Sequence, residues 1–124
     1  MNIVDSSGWL EYFADGPNAD FFAPAIEAVS ELIVPTLSLY EVFKRVLQQR
    51  GEGEALQAAA VMMEGQVVEL TAEVALEAAR ISADTGLPMA NSVMLATARA
   101  HGAELWTEDA PFAGIAGVRY VAKA

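Results

Sequence analysis

Short runs of apolar residues alternate along the chain with longer segments whose apolar positions recur at helical spacing. The short runs predict β-strands at residues 2–5, 32–35, 66–70 and 105–107, with a possible fifth at 119–121. The longer segments predict helices after Ser6 or Ser7 and after Ser38, and at residues 19–29, 54–63, 71–85 and 89–100.

Strands that alternate with helices predict a mainly parallel sheet of four or five strands with helices on both faces. Because crossovers between parallel strands are right-handed, a three-layer, Rossmann-like α/β fold satisfies this order of elements. If strand 4 returns to lie beside strand 1, the sheet has a switch point between these two strands. Ligands of such folds bind at the switch point, outside the carboxyl ends of the strands.

Composition supports one well-buried domain spanning residues 1–124. The hydrophobic share is 54% and the charged share is 19%, so apolar residues are left over for an oligomer or a partner. The chain has no cysteine, which excludes disulfides and thiolate metal sites. It also has no secretory start and no apolar run long enough to cross a bilayer, so we expect a cytoplasmic protein.

The net charge of −10 argues against a surface that wraps duplex DNA, since such binding needs many Lys and Arg contacts to phosphate. It does not exclude an enzyme that touches a few nucleotides, and it could equally serve solubility alone.

Two carboxylates from distant parts of the chain are expected to meet at the switch point. Asp5 ends strand 1 and Asp109 follows strand 4, while Glu41 and Asn91 are predicted in the first turns of two helices. All four can face the same end of the sheet. Clustered carboxylates repel each other unless a cation neutralises them, and hard oxygen ligands suit Mg²⁺ or Mn²⁺.

Each of these residues also has an ordinary structural explanation. Asp5 could cap a helix, Asn91 could be a polar residue at a helix start, and Asp109 could be a turn residue. Ser38 could cap its helix and place Glu41 in an S-x-x-E capping box. The case for a metal site therefore rests on the conjunction of the four residues.

Four segments in this order resemble the motifs of PIN domains. The first two are Val4-Asp5-Ser6-Ser7 with Trp9, and Pro35-x-x-Ser38-x-x-Glu41-Val42. The third is Leu87-Pro88-Met89-Ala90-Asn91-Ser92-x-x-x-Ala96-x-Ala98, and the fourth is Leu105-x-Thr107-x-Asp109-x-x-Phe112, followed by Ile115-x-Gly117-Val118. The resemblance covers essentially the whole chain. The length of the chain is similar to that of VapC toxins from toxin–antitoxin pairs.

The resemblance implies a PIN-like fold and an endoribonuclease that uses Mg²⁺ or Mn²⁺. It implies that Asp5, Glu41 and Asp109 are acidic residues of the metal site, supported by Thr107 and Ser6 through hydrogen bonds. It also implies a homodimer and an antitoxin whose tail covers the active site.

Position 91 departs from the family, which usually has aspartate there. Asparagine offers one neutral oxygen but lacks the charge and cannot act as a base, so metal affinity and activity should both fall. Two explanations are open: an engineered change that makes a toxic nuclease safe to produce, or a natural protein with weak or lost activity.

Few cations are available to hold RNA phosphates. Lys44 and Arg45 share a helix side with Glu41, and Arg99 follows Asn91 by eight residues, so these three could flank the crevice. Ordinary ion pairing or solvation would explain them as well. Trp9 and Tyr12 could stack on a base, although core or dimer packing suits them better, and His101 suits a helix C-terminus.

Two further function classes compete with the nuclease. A degenerate PIN scaffold could bind RNA or a protein without cutting, as the missing carboxylate at position 91 suggests. A receiver-like signalling domain shares the acidic-pocket design, but Lys44 and Lys123 are poorly placed in sequence for it.

Overall fold

The computed structural model describes all 124 residues and contains five strands and six α-helices. The strands are β1 (Asn2–Val4), β2 (Leu32–Pro35), β3 (Gln66–Val68), β4 (Glu104–Thr107) and β5 (Val118–Tyr120). The helices are α1 (Ser6–Phe13), α2 (Ala19–Glu27), α3 (Thr36–Arg50), α4 (Glu52–Met62), α5 (Ala72–Thr85) and α6 (Met89–Ala100). Two short 3-10 turns lie at Val29–Glu31 and Ala110–Phe112.

All five strands form one parallel sheet in the order β3-β2-β1-β4-β5. In the centre, Ile3 is level with Ile33 of β2 on one side and with Leu105 of β4 on the other. The predicted return of strand 4 to the side of strand 1 is therefore confirmed, and so is the fifth strand. The switch point lies between β1 and β4.

Alternate strand residues enter two separate cores, which gives the predicted three layers. Ile3, Ile33 and Leu105 pack with α5 and α6 on one face of the sheet. Their chain neighbours Val4 and Trp106 pack with the layer formed by α1 to α4 on the other face. Both faces are apolar, as expected for parallel strands that helices cover on both sides.

Helix α1 lies directly against the sheet because Gly8 has no side chain. A Cβ atom at Gly8 would lie 2.6 Å from Cε1 of Phe22 and 2.7 Å from Cγ1 of Val4, closer than real Cβ contacts. This close approach fixes the start of α1, which follows β1 after the single residue Asp5.

The start of α3 corrects the capping-box prediction. The helix begins at Thr36, so Ser38 lies inside the first turn and Glu41 lies in the second. The Ser38 side chain is buried and its hydroxyl reaches the Met94 sulfur at 3.5 Å, so it caps nothing. At α1 the N-cap position is taken by Asp5 rather than by Ser6 or Ser7, and its carboxylate makes no capping bond.

None of the helices is both long enough and apolar enough to span a bilayer.

Candidate active site at the carboxyl edge of the sheet

The two central strands bring Asp5 and Asp109 to the same edge of the sheet. Asp5 directly follows β1, and its backbone N–H donates to the Trp106 carbonyl at 2.9 Å, which extends the β1–β4 ladder by one residue. Asp109 lies two residues beyond the end of β4. Both residues therefore lie at the switch point between β1 and β4, as the sequence predicts.

Two hydroxyl groups hold the buried Asp5 carboxylate. Its Oδ2 accepts one hydrogen bond from Thr107 Oγ1 and one from Ser7 Oγ, each at 3.0 Å. Thr107 is fully buried, and its Oγ1 also accepts from the backbone N–H of Asp109 at 3.0 Å. One threonine hydroxyl therefore fixes both aspartates relative to β4.

The Asp5 carboxyl is destabilised in its charged form. Burial raises the pKa of Asp5 from 3.8 to about 7, and the negative charge of Asp109 and a hydrogen bond between the two carboxyls add to the rise. The Thr107 and Ser7 hydroxyls oppose it. The pair therefore favours a bound proton or a cation, because two adjacent carboxylates in a buried site repel each other.

Glu41 reaches the site from the second turn of α3. Its Oε1 accepts a hydrogen bond from Ser6 Oγ at 2.7 Å, and Ser6 is the residue after Asp5. The contact joins α3 to the start of α1 and replaces the capping interaction expected of Glu41.

Asn91 is the third residue of α6, as the sequence predicts, and its side chain is half-buried without a side-chain hydrogen bond. The helix start itself is fixed by the buried Ser92, whose hydroxyl donates to the Leu87 and Pro88 carbonyls at 3.2 and 3.0 Å. The Asn91 side chain therefore takes no part in the hydrogen bonds that fix the start of α6.

A divalent metal ion suits the donor set only in part. No group of three or more carboxylate, histidine or cysteine side chains is close enough to hold a metal ion. Asp5 and Asp109 are close enough for their charges to interact, Glu41 is bonded to Ser6, and the Asn91 amide makes no hydrogen bond with any of these residues. The negative charges of the Asp5 and Asp109 carboxylates are only partly neutralised. Mg²⁺ and Mn²⁺ prefer such oxygen ligands, so this pair suits either ion.

A lysine that is not among the predicted site residues lies beside Asp109. Lys123 follows β5, and its Nζ is 3.7 Å from Asp109 Oδ1. The predicted topology could have indicated this position for Lys123. The sequence predicted β5 as a last parallel strand, and the residues after such a strand lie at the carboxyl edge of the sheet.

The neighbouring Glu108, also overlooked in the sequence, is buried beside the site. Burial raises the pKa of Glu108, and the negative charges of Glu11 and Asp109 act in the same direction. A hydrogen bond from the Asn18 amide and the charge of Lys123 lower it. The carboxyl edge therefore concentrates acidic groups around a single lysine.

A cavity of about 820 Å³ opens beside Asp109. It lies between α1, α3 and α4, with Ser7, Glu108 and Lys123 at the end near Asp109 and Arg45 also in its lining. Asp5, Glu41 and Asn91 do not line it. Asp109 is therefore the member of the predicted site that connects it to this cavity.

The other predicted RNA contacts lie elsewhere. Lys44 Nζ lies 5.7 Å from the centre of the Tyr40 ring. Arg99 is in the last turn of α6, about 12 Å along the helix axis from Asn91, because eight residues at 1.5 Å each separate them. Its turn leads into β4 at the amino edge of the sheet, so the prediction that Arg99 flanks the crevice is wrong.

The aromatic candidates have structural roles. Trp9 is fully buried and stacks on Phe13 with ring centres 5.6 Å apart, so it cannot stack on a base. Tyr12 donates its hydroxyl to Glu27 at 3.2 Å, and burial together with this carboxylate raises the pKa of Tyr12. His101 follows the last residue of α6, in agreement with the predicted helix end.

The family model of the PIN domain matches residues 3–118. A toxin–antitoxin complex from Klebsiella pneumoniae is 21% identical, with a TM-score of 0.79 over 96% of each chain. VapC20 of Mycobacterium tuberculosis, described as a toxin that cleaves the sarcin–ricin loop, is 19% identical, with a TM-score of 0.72 over 96% of this chain and 99% of that one.

DNA-bound VapBC from Salmonella typhimurium is 13% identical, with a TM-score of 0.75 over 98% of each chain. No curated protein sequence matches the chain. At these identities the structural likeness establishes the fold, and the family match covers most of the chain.

Proposed function

This chain belongs to the PIN domain family, and on that premise we propose that it is a metal-dependent endoribonuclease of the VapC toxin type, weakened by asparagine at position 91. The single observation that carries the proposal is the arrangement of Asp5 and Asp109 around the Thr107 hydroxyl at the switch point of the sheet, where the pKa of Asp5 is raised. Such a pair, with its charged form destabilised, is typical of a functional site rather than of a structural one.

In this proposal Asp5 and Asp109 would hold Mg²⁺ or Mn²⁺, and Glu41 and the Asn91 amide oxygen would be further ligands. The ion would neutralise charge on an RNA phosphodiester and lower the pKa of a water molecule. Thr107 and Ser7 orient Asp5, while Ser6 orients Glu41. Such supporting hydrogen bonds fix ligands and tune metal affinity. Asp5 would hold the ion as a carboxylate, without its proton.

Arg45 is the predicted cation best placed for the RNA backbone. It lines the cavity that Asp109 also lines, and its side chain makes no salt bridge. We propose that a single-stranded RNA segment enters along this cavity.

Cleavage by the variant Asn91→Asp tests the proposal. The protein is purified free of any partner and incubated with structured and single-stranded RNA in Mg²⁺, in Mn²⁺ and in EDTA. We expect cleavage that depends on the metal ion and exceeds that of the unaltered chain. Asp109→Asn in the same background is the matched control and should abolish it. An Asn91→Asp protein that neither binds Mg²⁺ nor cuts RNA would sink the proposal.

A second candidate function is a non-catalytic module that binds RNA or protein on this scaffold. The lack of a third nearby carboxylate favours it. RNA binding that is insensitive to EDTA, combined with no cleavage by Asn91→Asp, would select this candidate over the nuclease.

We propose two protein partners: a second copy of this chain and an antitoxin. An apolar groove of about 390 Å³ between α3 and α4, lined by Leu39, Tyr40, Phe43, Leu47 and Met63, offers surface for such contacts. Two of the structural neighbours are described as toxin–antitoxin complexes or VapBC. Light scattering of the purified chain, alone and with a co-expressed antitoxin, measures both associations; a monomer under all conditions would contradict the dimer.

A further inference from the structure

The residues after β5 are tied to the candidate active site by the backbone. The Val121 N–H donates to the Thr107 carbonyl at 3.1 Å, and the Asn18 amide donates to the Ala122 carbonyl at 3.0 Å. These two bonds lead the chain past the end of β4, and the next residue is Lys123. Its ammonium then lies 3.7 Å from Asp109.

Asn18 joins this terminal segment to the acidic edge. The same amide group is 3.4 Å from Glu108 Oε1, and the Asn18 backbone N–H donates to Glu11 Oε1 at 2.9 Å. One side chain therefore links the start of α2, the loop after β4 and the segment that carries Lys123. The position of the Lys123 backbone is thus set by the fold, whereas its side chain is 65% exposed.

No other cation contacts an acidic residue of the candidate site. The chain has seven Lys and Arg residues, and its three salt bridges are Arg50–Glu54, Arg119–Glu104 and Lys123–Asp109. Arg119 is also held over the Trp106 ring, 4.7 Å from its centre. Lys123 is therefore the one positive charge within 4 Å of a carboxylate that would hold the metal ion.

We propose that Lys123 is an RNA-phosphate contact whose ammonium rests on Asp109 until a divalent ion takes that carboxylate. The inference rests on the proposed function. A contact of 3.7 Å between largely exposed groups is weak and easily exchanged. A lysine ammonium is a mobile point charge on a flexible stem, so it can turn from the carboxylate to a phosphate in the adjoining cavity.

Two measurements on Lys123→Met should change in opposite directions. Without RNA, titration with Mn²⁺ followed by electron paramagnetic resonance should give an affinity about two- to fivefold higher, because an exposed ion pair that competed with the metal ion is gone. With saturating Mn²⁺, fluorescence anisotropy of a short labelled single-stranded RNA should give an affinity about two- to fivefold lower. The slope of log affinity against log salt should flatten by about 0.7, as expected for one lost phosphate contact.

Arg99→Met is the matched control, since it removes one positive charge at the opposite edge of the sheet. It should leave Mn²⁺ affinity unchanged and affect RNA binding less than Lys123→Met does. Asn18→Ala keeps the lysine but frees the terminal segment, and it should reproduce part of the loss in RNA affinity.

The outcomes separate this inference from the proposed function. If neither the unaltered chain nor Asn91→Asp binds Mn²⁺, both are overturned. A chain that binds Mn²⁺, with Lys123→Met indistinguishable from Arg99→Met in both assays, overturns only the role of Lys123. If Lys123→Met has a higher Mn²⁺ affinity but an unchanged RNA affinity, the proposed phosphate contact is also overturned. The lysine would then only neutralise Asp109.

Discussion

The strand-borne half of the candidate site and the helix-borne half are held in different ways. On the strand side, Asp5 and Thr107 are buried and hydrogen-bonded to each other, and the same threonine hydroxyl accepts from the Asp109 backbone. On the helix side, Glu41 has one side-chain bond to Ser6, and Asn91 has none. The strand half is part of the core, so its residues are constrained by folding as well as by chemistry.

The difference explains how position 91 can lack its charge without damage to the fold. The α6 start is fixed by Ser92 and by backbone bonds, so the side chain at 91 is free to vary. Asp5 has no such freedom, because its carboxylate is part of a buried network. We therefore expect changes on the helix side to alter metal binding with little effect on stability, and changes on the strand side to alter stability more strongly.

The largest expected effect is on the helix side. Asn91→Asp should raise Mn²⁺ affinity about a hundredfold, since a unit charge near a divalent ion at a protein surface is worth a few kcal/mol. The melting temperature in EDTA should stay close to that of the unaltered chain. A variant that loses stability without gaining metal affinity would mean that position 91 belongs to the core rather than to the site. Isothermal titration and thermal denaturation measure the two quantities.

On the strand side, Asp5→Asn should stabilise the metal-free protein at pH 8 by about 2 kcal/mol. The pKa of Asp5 is raised from 3.8 to about 7 in the folded state. The full shift would correspond to about 4 kcal/mol, which relaxation of the site reduces. Denaturant unfolding in EDTA measures the gain, and a loss of stability at pH 8 would contradict the assigned cause.

The same pKa shift sets the sign of the pH dependence. Between about pH 4 and pH 7 the folded state keeps a proton that the unfolded state has lost, so the free energy of unfolding falls as pH rises through this window. Asp5→Asn should flatten the profile there, and saturating Mg²⁺ should restore stability above pH 7 in the unaltered chain. An unaltered profile in Asp5→Asn would assign the pH dependence to other groups.

Thr107→Val tests the link between the two aspartates. The substitution keeps the shape but removes the hydroxyl that bonds Asp5 and the Asp109 backbone. We expect Mn²⁺ affinity to fall about tenfold, as for other supporting residues of metal sites. Thr107→Ser, which keeps the hydroxyl, should retain most of the affinity. Equal losses in both variants would point to packing rather than to the hydrogen bonds.

Ser6→Ala should have the smallest effect. It frees Glu41 from its one side-chain partner, so Mn²⁺ affinity should change by about two- to threefold and stability by about 0.5 kcal/mol. A loss as large as that of Thr107→Val would show that the helix-side ligand is as firmly organised as the strand side.

The sequence predicted the strand half well because it follows from periodicity and topology. Asp5 and Asp109 end neighbouring parallel strands, and the order of elements alone places those ends together. The helix half was predicted less accurately. Its register depends on where α3 begins, and the sequence favoured Ser38 as a cap.

That error has a three-dimensional cause. Ser38 is buried between α3 and α6, with its hydroxyl near the Met94 sulfur 56 positions away in sequence, so it need not serve as a cap. Likewise Lys123 reaches Asp109 through the bonds of Asn18 and Val121, which local patterns do not encode. Arg99 was predicted to flank the crevice because it shares a face of α6 with Asn91. The two residues lie at opposite ends of that helix, so the shared face does not bring them together.

The backbone bond from Asp5 to Trp106 has a consequence for motion. Because this bond continues the central ladder, the backbone of Asp5 cannot move away from Trp106 unless β1 and β4 separate. The Asp5 amide should therefore exchange its hydrogen with solvent as slowly as the middle of the sheet, whereas amides in the segment after β5 should exchange through local opening. Adjustment to a bound ion or an RNA strand would then come from the helices and the terminal segment, around a rigid central strand pair.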